Sequence, residues 1–62
     1  MIKENRIKRK ITQEELAEKL DMSPRQIQRI ERNEDNTKIE TIRKIIKILK
    51  IPDEEIIKYM KK

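Results

Sequence analysis

The 62-residue sequence contains no cysteine, no histidine and no glycine. Without cysteine, neither a disulfide nor a thiolate metal site can form. Without histidine, the chain lacks the usual metal ligand and the usual general base. Without glycine, the phosphate-binding loops that need a closely approaching backbone are excluded. These absences argue against an enzyme, and we expect neither a cofactor, nor a metal, nor a small-molecule ligand.

Long apolar runs and aromatic residues are also missing, since Tyr59 is the only aromatic side chain. No apolar run approaches the roughly 20 residues that span a bilayer. The basic start, MIKENRIKRK, lacks the apolar stretch of a secretory signal. Charged residues make up 47% of the chain, a level that raises the question of disorder. The apolar residues are periodic, however, so we expect one small folded domain over residues 1–62, soluble and intracellular.

The charge is strongly basic, with 17 lysines and arginines against 12 acidic residues and a net charge of +5. Such an excess favours polyanions, either nucleic acid or an anionic membrane. Taken alone it is weak support, because a lysine-rich surface also serves solubility. Membrane binding ranks last, since the apolar stripes are narrow and are used by the core.

Three Ser/Thr-x-x-Glu/Gln sequences predict helix starts, because each can form a capping box. They are Thr12 with Glu15, Ser23 with Gln26, and Thr37 with Glu40. Together with starts near Ile2 and Pro52, they predict five short helices and no strand. The polar segment 33–36, NEDN, is predicted to be a loop.

Apolar residues at helical spacing predict the core of these helices. The predicted inward positions are Leu16, Ala17, Leu20, Ile27, Ile30, Ile39, Ile42, Ile45, Ile46 and Leu49. Two helices of about eight residues joined by a three-residue turn are a helix-turn-helix arrangement.

Residues 11–33, ITQEELAEKLDMSPRQIQRIERN, resemble the helix-turn-helix of the lambdoid phage repressor and Cro family, also called the XRE family. The common pattern of that family is L-T-Q-E-E-L-A-x-x-L-G-[VM]-S-x-x-x-I-S-R-[IW]-E-x-G. Residues 39–56, IETIRKIIKILKIPDEEI, are similar to its last two helices. The resemblance covers roughly residues 2–57. It implies an all-α, compact five-helix lambda-repressor-like domain, in which helices 2 and 3 form the helix-turn-helix.

The resemblance also implies a function: sequence-specific binding of double-stranded DNA by a transcriptional regulator of the repressor or Cro kind. It further implies a location in the cytoplasm, in a protein of prokaryotic or phage origin. The recognition helix, residues 24–32, is then expected in the major groove. Its expected base-reading residues are Arg25, Gln28 and Arg29. The residues expected at phosphates are Thr12, Gln13, Ser23, Arg32 and Lys38. A buried ion pair between Arg6 and Glu31 is expected to tie the first helix to the recognition helix.

Proteins of this kind usually bind palindromic operators as symmetric dimers. We expect weak dimerisation through the last helix, and the candidate dimer contacts are Ile57, Tyr59 and Met60. The same three side chains can instead simply close the core. The length allows either a stand-alone Cro-like regulator or an isolated domain.

Several positions depart from the family pattern. Asp21, Asn33 and Lys50 replace family glycines, so each is expected in a left-handed backbone conformation. Asn5 occupies a position that is usually leucine.

Other interpretations compete with these assignments. The basic stripe of the recognition helix can be an ordinary solvated face, and Gln26 suits a helix cap better than a base contact. The run Lys8, Arg9 and Lys10 is expected to be solubilising. The main rival function is a helix-turn-helix protein-interaction module, antitoxin-like or adaptor-like, with little DNA binding of its own.

Overall fold

The computed structural model describes residues 1–61, which form five α-helices and one short 3₁₀ turn. The helices are α1 (Ile2–Lys8), α2 (Gln13–Leu20), α3 (Pro24–Arg32), α4 (Ile39–Leu49) and α5 (Asp53–Met60), and the 3₁₀ turn is Glu34–Asn36. No strand occurs among these residues, so the predicted all-α class is confirmed. None of the helices in this part of the chain is both long and apolar enough to cross a membrane.

Two of the three predicted capping boxes are present. The Thr12 hydroxyl accepts the backbone N–H of Glu15 at 3.0 Å, and the Glu15 carboxylate accepts the Thr12 N–H at 2.9 Å. Ser23 and Gln26 repeat the arrangement at 3.3 and 2.9 Å. These reciprocal bonds satisfy N–H groups that have no partner inside the helix. They fix where α2 and α3 begin, and thereby the length of the turn between them.

The third box, at Thr37, was predicted wrongly. Helix α4 begins at Ile39, its N-cap residue is Lys38, and no side chain caps it. The Thr37 hydroxyl donates instead to the carbonyl of Asn33 at 3.3 Å, across the 3₁₀ turn. The hydroxyl is therefore used to close the turn, which occupies part of the predicted loop 33–36.

The core is built from aliphatic side chains contributed by α1, α2, α3, α4 and the segment after α4. Its buried members are Ile2, Leu16, Ala17, Leu20, Ile27, Ile42, Ile45, Leu49 and Ile51. Ile30 and Ile46 are partly buried against it. The prediction for Ile39 is wrong, since this side chain is 56% exposed. Ile39 is the first residue of α4 and lies beyond the edge of the core.

Three residues at or directly after helix ends are left-handed although none is glycine. Asp21 (φ 58°) and Lys50 (φ 51°) adopt this conformation as predicted, and Lys10 (φ 57°) adopts it without having been predicted. Asn33 does not, because its φ is −141°. Asn33 instead leads into the 3₁₀ turn, where an αL residue is not required. Each left-handed residue costs on the order of 1 kcal/mol relative to a glycine that tolerates the same angles.

Asn5, the polar residue at a usual leucine position, is buried and 3% exposed. Its side-chain amide donates to the Met1 carbonyl at 2.8 Å and to a Glu55 carboxylate oxygen at 3.2 Å. A buried amide costs little when its donors are satisfied. Asn5 therefore ties α1 to α5 by a polar contact instead of an apolar one.

Candidate nucleic-acid interface

Helix α3 presents an exposed polar stripe to solvent. Gln28 and Arg29 lie three and four residues after Arg25, and Arg32 lies four and three residues after them, so the four side chains share one helical face. All four side chains are exposed. Within residues 1–61, none of the three arginines lies within 4.0 Å of a carboxylate. The stripe therefore carries three positive charges that no neighbouring acid neutralises.

The opposite face of α3 is held by the core and by one ion pair. Ile27 is fully buried, and Glu31 lies one turn further along the same face with its side chain 5% exposed. The Arg6 guanidinium donates to the two Glu31 oxygens from Nε at 2.5 Å and from Nη2 at 3.3 Å. Such a two-pronged contact fixes orientation as well as distance. This is the Arg6–Glu31 pair that the resemblance implies.

Two further contacts extend this pair into a network across three helices. The Gln13 amide donates to Glu31 Oε1 at 3.1 Å, and Arg6 Nη1 donates to the Ile11 carbonyl at 2.9 Å. Glu31 thus accepts from α1 and from α2 while it belongs to α3. The network sets the angle at which the exposed stripe of α3 faces outward.

The residues expected at phosphates differ in how many hydrogen-bond donors they leave unused within the fold. Gln13 is half-buried and uses one amide N–H on Glu31. Ser23 is exposed, yet its backbone N–H and its hydroxyl both donate to Gln26 Oε1, at 2.9 and 3.3 Å. A phosphate contact by Ser23 would have to displace part of the capping box. Thr12 lies exposed directly before α2 and caps it.

An open groove separates the end of α3 from the start of α4, with a volume of about 450 Å³. Arg29, Arg32 and Lys38 line it together with the polar side chains of Asn36 and Thr41. The groove brings Arg32 and Lys38 together on either side of the 3₁₀ turn, and it also reaches Arg29. The sequence did not predict that Asn36 and Thr41 line this groove, because no local pattern indicates a groove formed by a turn.

The two acidic residues of the 3₁₀ turn bind the turn to the rest of the fold. Glu34 accepts the Met1 ammonium at 3.2 Å and also the backbone N–H of Ile2. Asp35 accepts the Tyr59 hydroxyl at 2.7 Å. These contacts attach both acidic residues of the turn to α1 and α5. The 3₁₀ turn, which forms one wall of the groove, is therefore held in place. No sequence pattern indicated either contact.

The last helix exposes apolar surface. Ile57 is 53% exposed and Met60 is 69% exposed, whereas Tyr59 is half-buried. Burial, followed by the hydrogen bond to Asp35, raises the pKa of Tyr59 to about 12. The structure thus leaves Ile57 and Met60 uncovered in the single chain, and it gives Tyr59 a contact within the fold.

The comparison with known proteins agrees with this geometry. A protein-family model described as helix-turn-helix matches residues 2–56, which is most of the 62-residue chain. The matched range contains α1 to α4, the 3₁₀ turn and the beginning of α5. No curated protein and no solved structure gives a significant match.

Proposed function

This chain belongs to the helix-turn-helix family of the XRE type, and from that premise we propose that it is a sequence-specific regulator of transcription that binds double-stranded DNA in the manner of a repressor or Cro. The family is one of DNA-binding regulators. The observation that carries the proposal is the exposed stripe of α3, whose three arginines have no acidic partner among residues 1–61.

Helix α3 enters the major groove, and Arg25, Gln28 and Arg29 read base edges there. The groove admits an α-helix, and each base pair presents a distinct pattern of donors and acceptors. Arginine pairs with guanine through two hydrogen bonds, and glutamine pairs with adenine in the same way. Each such pair is worth about 1–3 kcal/mol of discrimination. The Arg6–Glu31–Gln13 network supports this role, because it fixes the orientation of α3.

Phosphate contacts by Thr12, Gln13, Ser23, Arg32 and Lys38 set the register on the duplex and carry no sequence information. The groove beside α3 supports this assignment for Arg32 and Lys38, since both side chains line it. For Gln13, the second amide N–H remains available after the bond to Glu31. Ser23 has the weakest support, because both of its donors are engaged with Gln26.

The protein acts as a weak homodimer on a palindromic operator, with half-sites about one helical turn apart. Ile57 and Met60 support a contact through α5, because they expose apolar side chains there. Tyr59 contributes its ring beside them. In this proposal residues 1–62 form a single DNA-binding domain that works in the cytoplasm, on the nucleoid when bound, without catalysis.

The test compares single alanine variants on duplexes with and without the preferred sequence. Arg25→Ala, Gln28→Ala and Arg29→Ala should reduce the preference for the specific sequence, by about 1–3 kcal/mol each. Arg32→Ala and Lys38→Ala should weaken binding equally on all sequences. Lys3→Ala, at an exposed lysine of α1, serves as the control that changes charge away from the interface.

The rival function is a helix-turn-helix that binds another protein and has little affinity for DNA. Weak binding to every duplex, unchanged by Arg25→Ala and by Arg29→Ala, would refute the regulator and favour this rival. A steep dependence of DNA affinity on salt, reduced in those variants, is the result expected of the regulator.

A further inference from the structure

The ends of α1 and α4 meet at a basic patch, which we define as Lys8, Arg9, Lys10, Lys47 and Lys50. Arg9 joins the two ends directly. Its Nε donates to the carbonyl of Leu49 at 3.0 Å, and its Nη2 donates to the carbonyl of Lys50 at 3.3 Å. The run Lys8, Arg9 and Lys10, expected to be solubilising, therefore includes a residue that caps α4.

The cations of this patch have no acidic partners. All five side chains are exposed, and none lies within 4.0 Å of a carboxylate among residues 1–61. By contrast, the acidic residues of the 3₁₀ turn bond to Met1, Ile2 and Tyr59. The positive charges at the ends of α1 and α4 therefore have no carboxylate within 4.0 Å in the described part of the chain.

Two lysines of the patch stand at left-handed positions, which is unusual for this residue type. Lys10 has φ 57° and Lys50 has φ 51°. Glycine or asparagine is accommodated better at such positions. Neither ammonium group makes a hydrogen bond or ion pair in the part of the chain that the structure describes. The two lysines thus occupy unfavourable backbone positions without a compensating side-chain contact inside the fold.

Stabilisation of helix ends does not account for both lysines. Cations in the last turn of a helix interact favourably with its dipole. Lys8 in α1 and Lys47 in α4 already supply that charge at helical positions. Arg9 in addition satisfies the carbonyls of Leu49 and Lys50. The left-handed conformation itself closes both helix ends, because it lets the Ile11 N–H donate to the Arg6 carbonyl and the Ile51 N–H to the Ile46 carbonyl, both at 3.1 Å. What the helix ends do not require is a lysine at these positions, since glycine or asparagine would adopt the same angles at lower cost.

We propose that the basic patch is a second binding surface for the phosphate backbone of DNA, outside the major-groove site of α3. The inference rests on the proposed function, because it adds a contact to a DNA-binding protein. Lysine ammonium groups suit this role, since they act as point charges toward phosphate. The patch lies where α4 packs against α1, whereas α3 packs mainly against α2. Its contribution is independent of sequence and strongly dependent on salt.

The test is the double variant Lys10→Gly/Lys50→Gly, which removes two charges and relieves two left-handed positions at once. The variant should melt at a higher temperature than the unmodified chain and yet bind every DNA sequence more weakly. Two lost phosphate contacts make the plot of log affinity against log salt shallower by about 2. Between roughly 50 and 200 mM salt, the unmodified chain should therefore lose about tenfold more affinity than the variant.

The matched control is Lys3→Ala/Lys44→Ala, which lowers the net charge equally at two exposed positions outside the patch and outside α5. It should keep a salt dependence close to that of the unmodified chain. A second pair, Lys10→Asn/Lys50→Asn, removes the same charges with a residue that also tolerates left-handed angles, so the result does not depend on glycine. Lys10→Arg/Lys50→Arg retains the charge and should retain the affinity.

The proposal is overturned if both charge-removing pairs bind DNA as the unmodified chain does. It is also overturned if they bind no differently from the Lys3→Ala/Lys44→Ala control. Failure of the proposed function is recognised separately. In that case the unmodified chain itself shows no preference among duplexes, and Arg25→Ala changes nothing.

Discussion

Replacing Glu31 with alanine should be the most damaging single change outside the aliphatic core. Glu31 accepts three hydrogen bonds, at 2.5 and 3.3 Å from Arg6 and at 3.1 Å from Gln13. Without it, the Arg6 guanidinium, 11% exposed, keeps only the Ile11 carbonyl at 2.9 Å as an acceptor. A positive charge would then remain largely buried without a counter-charge.

The expected loss of unfolding free energy is about 3–5 kcal/mol, the usual result of breaking a buried ion pair by removing one partner. A chain of this length has a total stability of roughly 3–9 kcal/mol, from about 0.05–0.15 kcal/mol per residue. Glu31→Ala should therefore leave much of the protein unfolded at physiological temperature. Glu31→Gln also removes the counter-charge of Arg6, but it keeps the shape and one acceptor oxygen for the guanidinium. Its cost should therefore be smaller than that of Glu31→Ala, yet still about 1–3 kcal/mol.

Urea unfolding followed by far-ultraviolet circular dichroism measures these differences. The informative partner variant is Arg6→Met/Glu31→Leu, which removes both charges and fills the space with apolar atoms. Because the desolvation cost of both ions disappears, this double variant should return to within about 1 kcal/mol of the unmodified chain. Its recovery would show that the loss in Glu31→Ala comes from the uncompensated Arg6.

A loss below about 1 kcal/mol in Glu31→Ala would refute the reasoning, since that is the range of an exposed surface pair. Equal destabilisation in the single and double variants would also refute it, because the damage would then come from lost volume instead of from unpaired charge.

Three further predictions follow from single features of the fold. Lys50→Gly should raise the unfolding free energy by about 0.5–1 kcal/mol, because relief of the left-handed angle exceeds the entropy cost of glycine; a lower urea midpoint would contradict it. Tyr59 should ionise near pH 12, measured by the ultraviolet absorbance of its phenolate, and Asp35→Asn should move its pKa back toward 10.0. The pKa of the Met1 ammonium is raised above 8.0, because burial, which lowers it, is outweighed by the hydrogen bonds to Glu4 and Glu34. Its stabilisation is therefore complete below the unfolded pKa of 8.0 and lost as pH rises through the folded pKa, so the unfolding free energy should fall as pH rises above 8.0, and less so in Glu34→Gln.

The part of the fold that was predictable is the part that local chemistry determines. The capping boxes of Thr12 and Ser23 join residues three apart, and Pro24 fits the first helical position whatever the rest of the chain does. Apolar spacing then identifies the buried faces of α2 and α3. The Arg6–Glu31 pair was accessible only through the family resemblance, because nothing local links residues 25 positions apart.

What escaped prediction depends on packing between distant segments or on competition within a turn. The Asn5–Glu55 and Tyr59–Asp35 hydrogen bonds join residues 50 and 24 positions apart and have no local signature. The sequence around Thr37 predicts a helix cap, but its hydroxyl donates to the Asn33 carbonyl across the 3₁₀ turn instead. Lys10 follows the C-cap residue Arg9 of α1 in a left-handed conformation, and in a chain without glycine no residue type marks that position.

The candidate interface likewise has one part that local sequence predicts and one part that depends on the folded chain. Sequence spacing suffices to place Arg25, Gln28 and Arg29 on one exposed face of α3, because a helix fixes which residues share a side. The groove that gathers Arg32 and Lys38 appears only once the 3₁₀ turn is folded. The DNA-reading roles of these residues remain predictions, and they concern chemistry outside the folded chain.

The measurement that tests the central claim most directly is selection of bound duplexes from a random double-stranded DNA pool, at one stated salt concentration. The account predicts enrichment of a palindromic sequence with half-sites about one helical turn apart, and loss of that enrichment in Arg25→Ala. Recovery of a pool indistinguishable from the input, by the unmodified chain, would contradict sequence-specific recognition by α3.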